Sequence, residues 1–392
     1  MTAFLLALWI VAAGYAGTVG VLAFVTARRR AGGPDARDAE LPTVAVIVAA
    51  RDEEAALPRC LAALAAQDYP ADRIEIIVAD DHSTDGTRQA VRPFERVAVA
   101  AGPPELAGGP ELAEAAGHAV RYLRVPDPDG HVRGKALALH AAIATTDAEL
   151  LLFTDADCAP APGWARALAA PFHDSEVGLV CGLTVLDVDD LGGAAQALDW
   201  ALLLAAVGAL TALGVPATGM GNNMAVRREA YLATGGYPAL PFSVTEDFAL
   251  YRAVADRTAY GVRFHVAPGS LVWSEPAPSL GAAYAQRRRW ARGGLGGGAP
   301  VWAAYAALHL SHLLPVLALG LAPLHGAAAL AAMLAADRLL LGAADRRTAG
   351  GLASALSPAA FGLGEAFRFS YLLTLPVVLL VRPRISWKGR AH

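Results

Sequence analysis

Cysteine is scarce: Cys60, Cys158 and Cys181 are all that 392 residues contain. An odd number gives no disulfide framework, and the spacing matches no zinc site, which suits a reducing compartment. Charge is thin as well. Asp, Glu, Lys and Arg together make up 17% of the chain, and the formal net charge is -4. Without a basic excess, no nucleic acid is expected as a partner. Two phosphate-binding signatures are also missing. There is no GxxxxGK[ST], and no GxGxxG follows a strand, which excludes the usual NTPase and dinucleotide-binding readings.

Apolar residues are what the chain has in quantity. Hydrophobic types reach 55% and the mean hydropathy is +0.40, both high for a soluble protein. Phe4 to Thr26 carries no charge and is long enough to cross a hydrocarbon core about 30 Å thick. Its basic residues, Arg28, Arg29 and Arg30, come after the run, so residues 1–27 read as an anchor rather than a cleaved signal. The positive-inside bias then puts the N-terminus outside and everything after Arg28 in the cytoplasm, as expected of an integral protein of a bacterial inner membrane.

Residues 299–392 are apolar again. Val301–Leu324 forms one span, and 325–347 returns to stop at Arg346 and Arg347. The last run is interrupted by Pro358, Gly362 and Gly364, carries Glu365 and Arg368, and ends in the basic tail RPRISWKGRAH. A hairpin or re-entrant arrangement would keep that tail in the cytoplasm. His309 and His312 are one helical turn apart and read as a polar stripe, since a metal would need a third ligand. Glu365 and Arg368, at i and i+3, are expected to pair.

Between these ends, residues 41–298 alternate strand-like and helix-like segments: TVAVIVAA, DEEAALPRCLAALAAQD, RIEIIVAD, GKALALHAAIA, ELLLFTD and VGLVCGL. Such alternation predicts an α/β domain with a mostly parallel sheet covered on both faces. Residues 93–120, rich in Ala, Gly and Pro, read as an insertion without chemistry.

Two acidic clusters follow apolar strands. Asp80 and Asp81 open DDHSTDGT, and Asp155 and Asp157 lie in FTDADC. Ligands of open parallel sheets bind at the carboxyl ends of strands, so both clusters are expected to face one crevice. Ser83, Thr84 and Asp85 also suit capping of a helix near Thr87. Grouped carboxylates repel unless a cation joins them. Oxygen ligands favour a hard divalent ion, and Mg²⁺ typically combines one or two carboxylates with substrate phosphates.

With these residues in view, the chain resembles membrane-integrated family 2 glycosyltransferases. VAARDEEAAL, ADDHSTDGT, FTDADC, TEDF and QRRRW occur in the family's order, and RGKALALHAAI and GNNMAVRREAYLATGGYP strengthen the likeness. The resemblance implies a GT-A fold and inverting transfer from a nucleotide-sugar, a UDP-sugar being expected. The first motif departs from the family's A-Y-N-E-E at Arg51 and Asp52.

The resemblance also implies roles. Glu53 and Asp81 would hold the nucleoside, and Asp80 would form its floor. Lys135 would meet donor charge at a helix start. Asp155 and Asp157 would hold Mg²⁺ or Mn²⁺ against the diphosphate. Asp247 would be the base, with Glu246 orienting the site, although Thr245 with Asp247 could also be a simple helix start. Gln286, Arg289 and Trp290 match the family's Q-x-x-R-W: Arg289 for the diphosphate, Trp290 as a flat wall for sugar or acceptor. Arg287 and Arg288 read as a basic patch at the membrane surface.

The acceptor is expected to be a membrane lipid hydroxyl, as in ceramide- and carotenoid-type enzymes, because so few spans offer little material for a polymer channel. The apolar segment 192–219 would lie on or in the bilayer interface. A processive polysaccharide synthase and a non-catalytic sugar-nucleotide-binding partner are the alternatives.

Overall fold

The computed structural model describes residues 1–28, 41–95, 118–128, 130–215, 220–241, 243, 245–294, 299–348, 352, 357–381, 386–387 and 390–391. Most of the 93–120 stretch, Arg29, Arg30 and much of the basic tail lie outside the described residues. The elements run α1 (Thr2–Arg28), β1 (Val44–Ala50), α2 (Leu57–Ala65), β2 (Ile74–Asp80), α3 (Thr87–Val91), β3 (Val120–Arg124), α4 (Lys135–Ile143), β4 (Leu150–Asp155), β5 (Cys158–Pro160) and α5 (Trp164–Ala169). Then come β6 (Val177–Cys181), β7 (Thr184–Leu186), α6 (Leu191–Ala212), β8 (Met224–Arg227), α7 (Arg228–Ala233), α8 (Glu246–Arg257), β9 (Gly261–Phe264), β10 (Val272–Ser274) and α9 (Leu280–Gly294). Three long helices complete the order: α10 (Ala299–Leu321), α11 (Pro323–Arg347) and α12 (Pro358–Val381).

Seven strands form the main sheet in the order β3-β2-β1-β4-β8-β6-β9. The first four are mutually parallel, and β8 runs antiparallel to both β4 and β6. Alternate residues explain how the sheet is covered. Ala45 and Ile47 of β1 enter a core with α4, whereas Val44, Val46 and Val48 enter a second core with α2 and α5. A strand buried on both faces has no polar alternation to show, which is why these segments read as continuous apolar runs. Strand β3 was hidden in the sequence because Arg121 and Arg124 interrupt it; it is an edge strand, where charge is tolerated.

Among the described residues, five helices are long and apolar enough to cross a membrane: α1, α6, α10, α11 and α12. Helix α6 differs from the rest. The chain enters it from β7 and must rejoin the sheet at β8 after residues 213–223. Crossing a core of about 30 Å and returning over so short a link would need extended backbone without partners, which a bilayer does not tolerate. What covers α6 is protein: it is walled in by α1, α11 and α12, with most of its residues buried. Leu6, Ile10, Val21 and Phe24 of α1, Leu317 and Leu319 of α10 and Leu380 of α12 remain exposed, an outward apolar surface suited to lipid.

The last apolar run is corrected. No break occurs at Gly362 or Gly364; α12 is one helix, with Pro358 in its first turn. Gly364 serves packing instead. A Cβ there would lie 2.8 Å from the carbonyl oxygen of Ala195 and 2.9 Å from Leu198 Cδ2, so its absence lets α12 lie against α6. Glu365 and Arg368 pair as expected, at 3.0 Å. Arg368 also pairs with Asp337 of α11 and donates to Tyr15 Oη of α1 at 3.0 Å, while Tyr15 donates to Asp337 at 2.8 Å. His309 and His312 engage backbone carbonyls, Leu372 at 2.9 Å and Leu308 at 2.8 Å.

Gly364→Val should force α12 off α6 and lower stability by about 1–3 kcal/mol, the range for overpacking. Gly362 is the control, since a Cβ added there would meet nothing within 4 Å. A thermal melt in detergent should fall for Gly364→Val and stay near wild type for Gly362→Val.

Candidate active site

The carboxyl ends of three neighbouring strands make one crevice. Ala50 of β1 is in register with Asp80 of β2, and Ala49 with Asp155 of β4. The two acidic clusters therefore flank the end of β1.

Behind β1 and β2, two loops lock each other. Asp52 N donates to Ser83 Oγ (2.9 Å) and Thr84 N to Asp52 Oδ1 (2.8 Å). Glu54 N donates to Asp85 Oδ2 (3.0 Å), and Gly86 N to Glu54 Oε2 (2.7 Å). Asp52 and His82 both take left-handed backbone angles, φ +53° and +63°. That conformation costs roughly 1 kcal/mol or more per residue, which the reciprocal bonds offset. The departure at Asp52 thus leaves loop chemistry intact, since a carboxylate accepts the Thr84 N–H as an amide oxygen would. Asp80 is fully committed, accepting from Ser83 N at 2.8 Å and from the Tyr122 hydroxyl at 2.5 Å, so it shapes the floor from within. Asp81 lies 3.4 Å from both Arg51 and His82.

Lys135, the first residue of α4, joins the two acidic motifs. Its ammonium lies 2.6 Å from Asp155 Oδ1 and 3.1 Å from Glu246 Oε1. Burial works against the charged form, but Asp155, Glu246 and Asp247 outweigh it and hold the lysine pKa well above its ordinary value.

Asp247 follows Glu246 in the first turn of α8. Thr245 makes no side-chain cap there; Asp247 itself accepts from Phe248 N (2.8 Å) and from Gly221 N (2.8 Å). The simple capping arrangement considered for Thr245 is therefore not formed. Burial first, then the Glu246 charge, pushes the Asp247 carboxyl up to about 6, with Lys135 pulling the other way.

Asp157 presents an exposed carboxylate, yet protein crowds it deep in the crevice. That crowding, followed by the charges of Asp155 and Glu53, raises it to about 6. Among the described residues, no three His, Cys, Asp or Glu side chains converge on one point. Asp155 and Asp157 nonetheless fit a hard divalent ion. Their oxygens suit it, their mutual repulsion would be relieved by it, and its remaining ligands would come from a diphosphate and water.

Helix α9 approaches from the other side, where Gly293 sits against Thr245; a Cβ at 293 would lie 2.3 Å from Thr245 Oγ1. Gln286 Oε1 accepts from Arg287, and Trp290 lies against Trp200 of α6 with ring centroids 4.8 Å apart. Arg289 is half-exposed on the same helix. The reading of Arg287 as surface charge is corrected: it is buried and paired with Asp199 of α6 at 2.6 Å.

Three further residues went unassigned in the sequence. Asn223 is wholly buried and bonds Trp164 Nε1, Leu183 O and Ser270 O at 2.9–3.0 Å. Asn222 accepts from Thr184 Oγ1 at 3.0 Å. Gly221 carries the amide that holds Asp247, and a Cβ there would come within 2.9 Å of Asp247 Cβ. The GNNM stretch was the available signal; its partners lie too far away in sequence to be read.

Gly221→Ala should displace the Asp247 carboxylate without disturbing the crevice's other wall. Turnover should fall by about 10²-fold, the effect of misplacing a reacting group by about 1 Å. A wild-type melting curve alongside the kinetic loss would confirm a local cause.

Comparison with known proteins agrees with this geometry. The family described as "Glycosyltransferase like family 2" matches residues 42–293. The Bacillus subtilis protein named "Probable glycosyltransferase YdaM" is 26% identical over 262 residues, 65% of this chain and 56% of that protein. Beta-monoglucosyldiacylglycerol synthase of Nostoc sp. is 28% identical over 257 residues, 65% of this chain and 49% of that protein. The chain thus spans about half the length of the curated relatives it matches. Among solved structures, the mannosyltransferase PcManGT of Pyrobaculum calidifontis, in complex with GDP-Man and Mn²⁺, aligns with a TM-score of 0.52 and 23% identity, covering 96% of this chain and 98% of that one. At this identity the likeness is one of fold, the GT-A arrangement. Since the family match takes in every strand of the main sheet and the motifs converging on the crevice, the chain belongs to glycosyltransferase family 2.

Proposed function

We propose that the chain moves one sugar from a UDP-sugar to a hydroxyl of a membrane lipid, with inversion at the anomeric carbon. The carrying observation is Lys135, which ties Asp155 to Glu246 and so brings the donor-side carboxylates next to Asp247. In this reading Asp247 takes the proton of the acceptor hydroxyl, which is a poor nucleophile until deprotonated. Lys135 holds Asp155 and Glu246 in place. Glu53 and Asp81 receive the nucleoside, and Arg289 and Gln286 approach the diphosphate from α9. Asp155 and Asp157 would hold Mg²⁺ or Mn²⁺, which supplies positive charge for the departing nucleoside diphosphate.

A lipid acceptor is supported by α6, whose buried length connects the catalytic sheet to α1, α11 and α12. The Nostoc relative's name, a monoglucosyldiacylglycerol synthase, points the same way. The Tyr15, Asp337, Glu365 and Arg368 cluster, closed on itself between α1, α11 and α12, argues against a polymer path there. The basic residues behind α1 support a cytoplasmic catalytic part.

The direct test incubates purified protein and Mn²⁺ with labelled UDP-sugars, and separately GDP-sugars, in a total lipid extract. A lipid-soluble product carrying one sugar is expected, and EDTA should abolish it. Label in high-mass polymer would favour a processive synthase, and donor binding without transfer would favour a binding partner.

Asp247→Asn keeps the shape and loses the base. Donor affinity should be retained while transfer falls by about 10²-fold or more. Because the base must be ionised and its carboxyl titrates near 6, wild-type transfer should be full above neutrality and fall as pH drops through about 6. With Mn²⁺ saturating, so that Asp157 does not titrate in the same range, the residual rate of the variant should lack that limb.

A further inference from the structure

Arg287 lies inside the QRRRW helix yet faces away from the crevice. Ala283, Arg287 and Ala291 line the buried side of α9 at helical spacing. Gln286, Arg289 and Gly293 occupy an adjacent stripe, the one that reaches Thr245. Whatever fixes the rotation of α9 therefore fixes where Arg289 and Gln286 point, and the closeness of Gly293 to Thr245 leaves no slack.

Asp199 is the fixed point. It is a single carboxylate in the middle of the apolar helix α6 and is 1% exposed. Its Oδ2 takes Arg287 Nε at 2.6 Å, and its Oδ1 takes the Tyr371 hydroxyl of α12 at 2.7 Å. Arg287 passes the constraint on. Its NH1 donates to Gln286 Oε1 at 2.7 Å, and its guanidinium lies over the Trp290 ring at 4.3 Å from the centroid. Next to Asp199, Trp200 packs on Trp290 and donates to Thr184 O at 2.8 Å. Thr184 bonds Asn222, the neighbour of the glycine whose amide holds Asp247. One turn of α6 thus meets both the QRRRW helix and the support of the base.

We infer that Asp199, keyed by Tyr371, is a positioning residue: it sets the rotation of the QRRRW helix through Arg287 and thereby the donor-side geometry. The inference deepens the transfer reading and rests on it for its kinetic consequence, but the clamp itself stands independently.

Two variants test it in the full-length protein. Tyr371→Phe removes one hydrogen bond to a carboxylate and leaves the packing. Donor kcat/KM should fall by about 10-fold, the order expected for one charged hydrogen bond, with an unchanged melt. Asp199→Leu with Arg287→Met replaces the buried pair by apolar side chains, a change that is often neutral or stabilising. If the pair only held the fold, this double variant would melt and turn over as wild type, and that result would overturn the inference. The expected result is a wild-type melt with donor kcat/KM down by about 100-fold, because an apolar pair cannot orient Gln286 or the face of Trp290. Backbone hydrogen exchange across residues 284–294 separates the two levels. Faster exchange there in both variants supports the clamp even where no labelled sugar is transferred by wild type, in which case the transfer reading is what has failed. Wild-type exchange together with wild-type kinetics in Tyr371→Phe would also overturn the inference.

Discussion

A single half-buried ammonium organises the site. Lys135 has carboxylates on two sides, Asp155 at the end of β4 and Glu246 at the start of α8, contributed by elements far apart in the chain. Without it, Asp155, Asp157, Glu246 and Asp247 would crowd negative charge into a half-buried crevice, and the sheet and α8 would repel where they must meet. With it, the two acidic motifs become one electrostatic unit. Asp157 and Asp247, which have no such cation at hydrogen-bond distance among the described residues, are the two carboxyls of the crevice displaced to about 6.

That contrast divides the labour in the crevice. Asp155 is paired with Lys135, whereas Asp157 is exposed; in the proposed reading Asp157 is the carboxylate that meets the divalent ion most directly. Asp247 is held by two backbone amides, Gly221 and Phe248, so its direction is set while its basicity is raised by burial. In the proposed reading this suits Asp247 to be the base, since a base with a pKa near the working pH combines ionisation with proton affinity.

The parallel strands, their helices and the acidic residues at the strand ends were legible because each rests on local pattern: continuous apolar runs, helical spacing, short motifs. The misreadings share a cause as well. Gly362 and Gly364 looked like breaks because sequence shows a missing side chain but not the helix pressed against it. The burial of α6 was not legible because its apolarity says nothing of what covers it. Arg287 looked like surface charge because its partner, Asp199, is 88 positions earlier. Asp199 did carry a signal of its own. An isolated carboxylate in an apolar helix is costly unless paired, and it calls for a cation somewhere.

The Tyr15, Asp337 and Arg368 cluster carries a consequence for biogenesis. Tyr15 is separated from Asp337 by 322 positions and from Arg368 by 353. The ribosome delivers α1 well before its polar partners, so the helix waits for them while the whole sheet is synthesised. In lipid, Arg368 alone is far less acceptable than Arg368 beside Asp337 and Glu365. α11 and α12 are therefore best accommodated as a pair, and the closing of that pair onto Tyr15 brings α1 against two helices synthesised after the sheet.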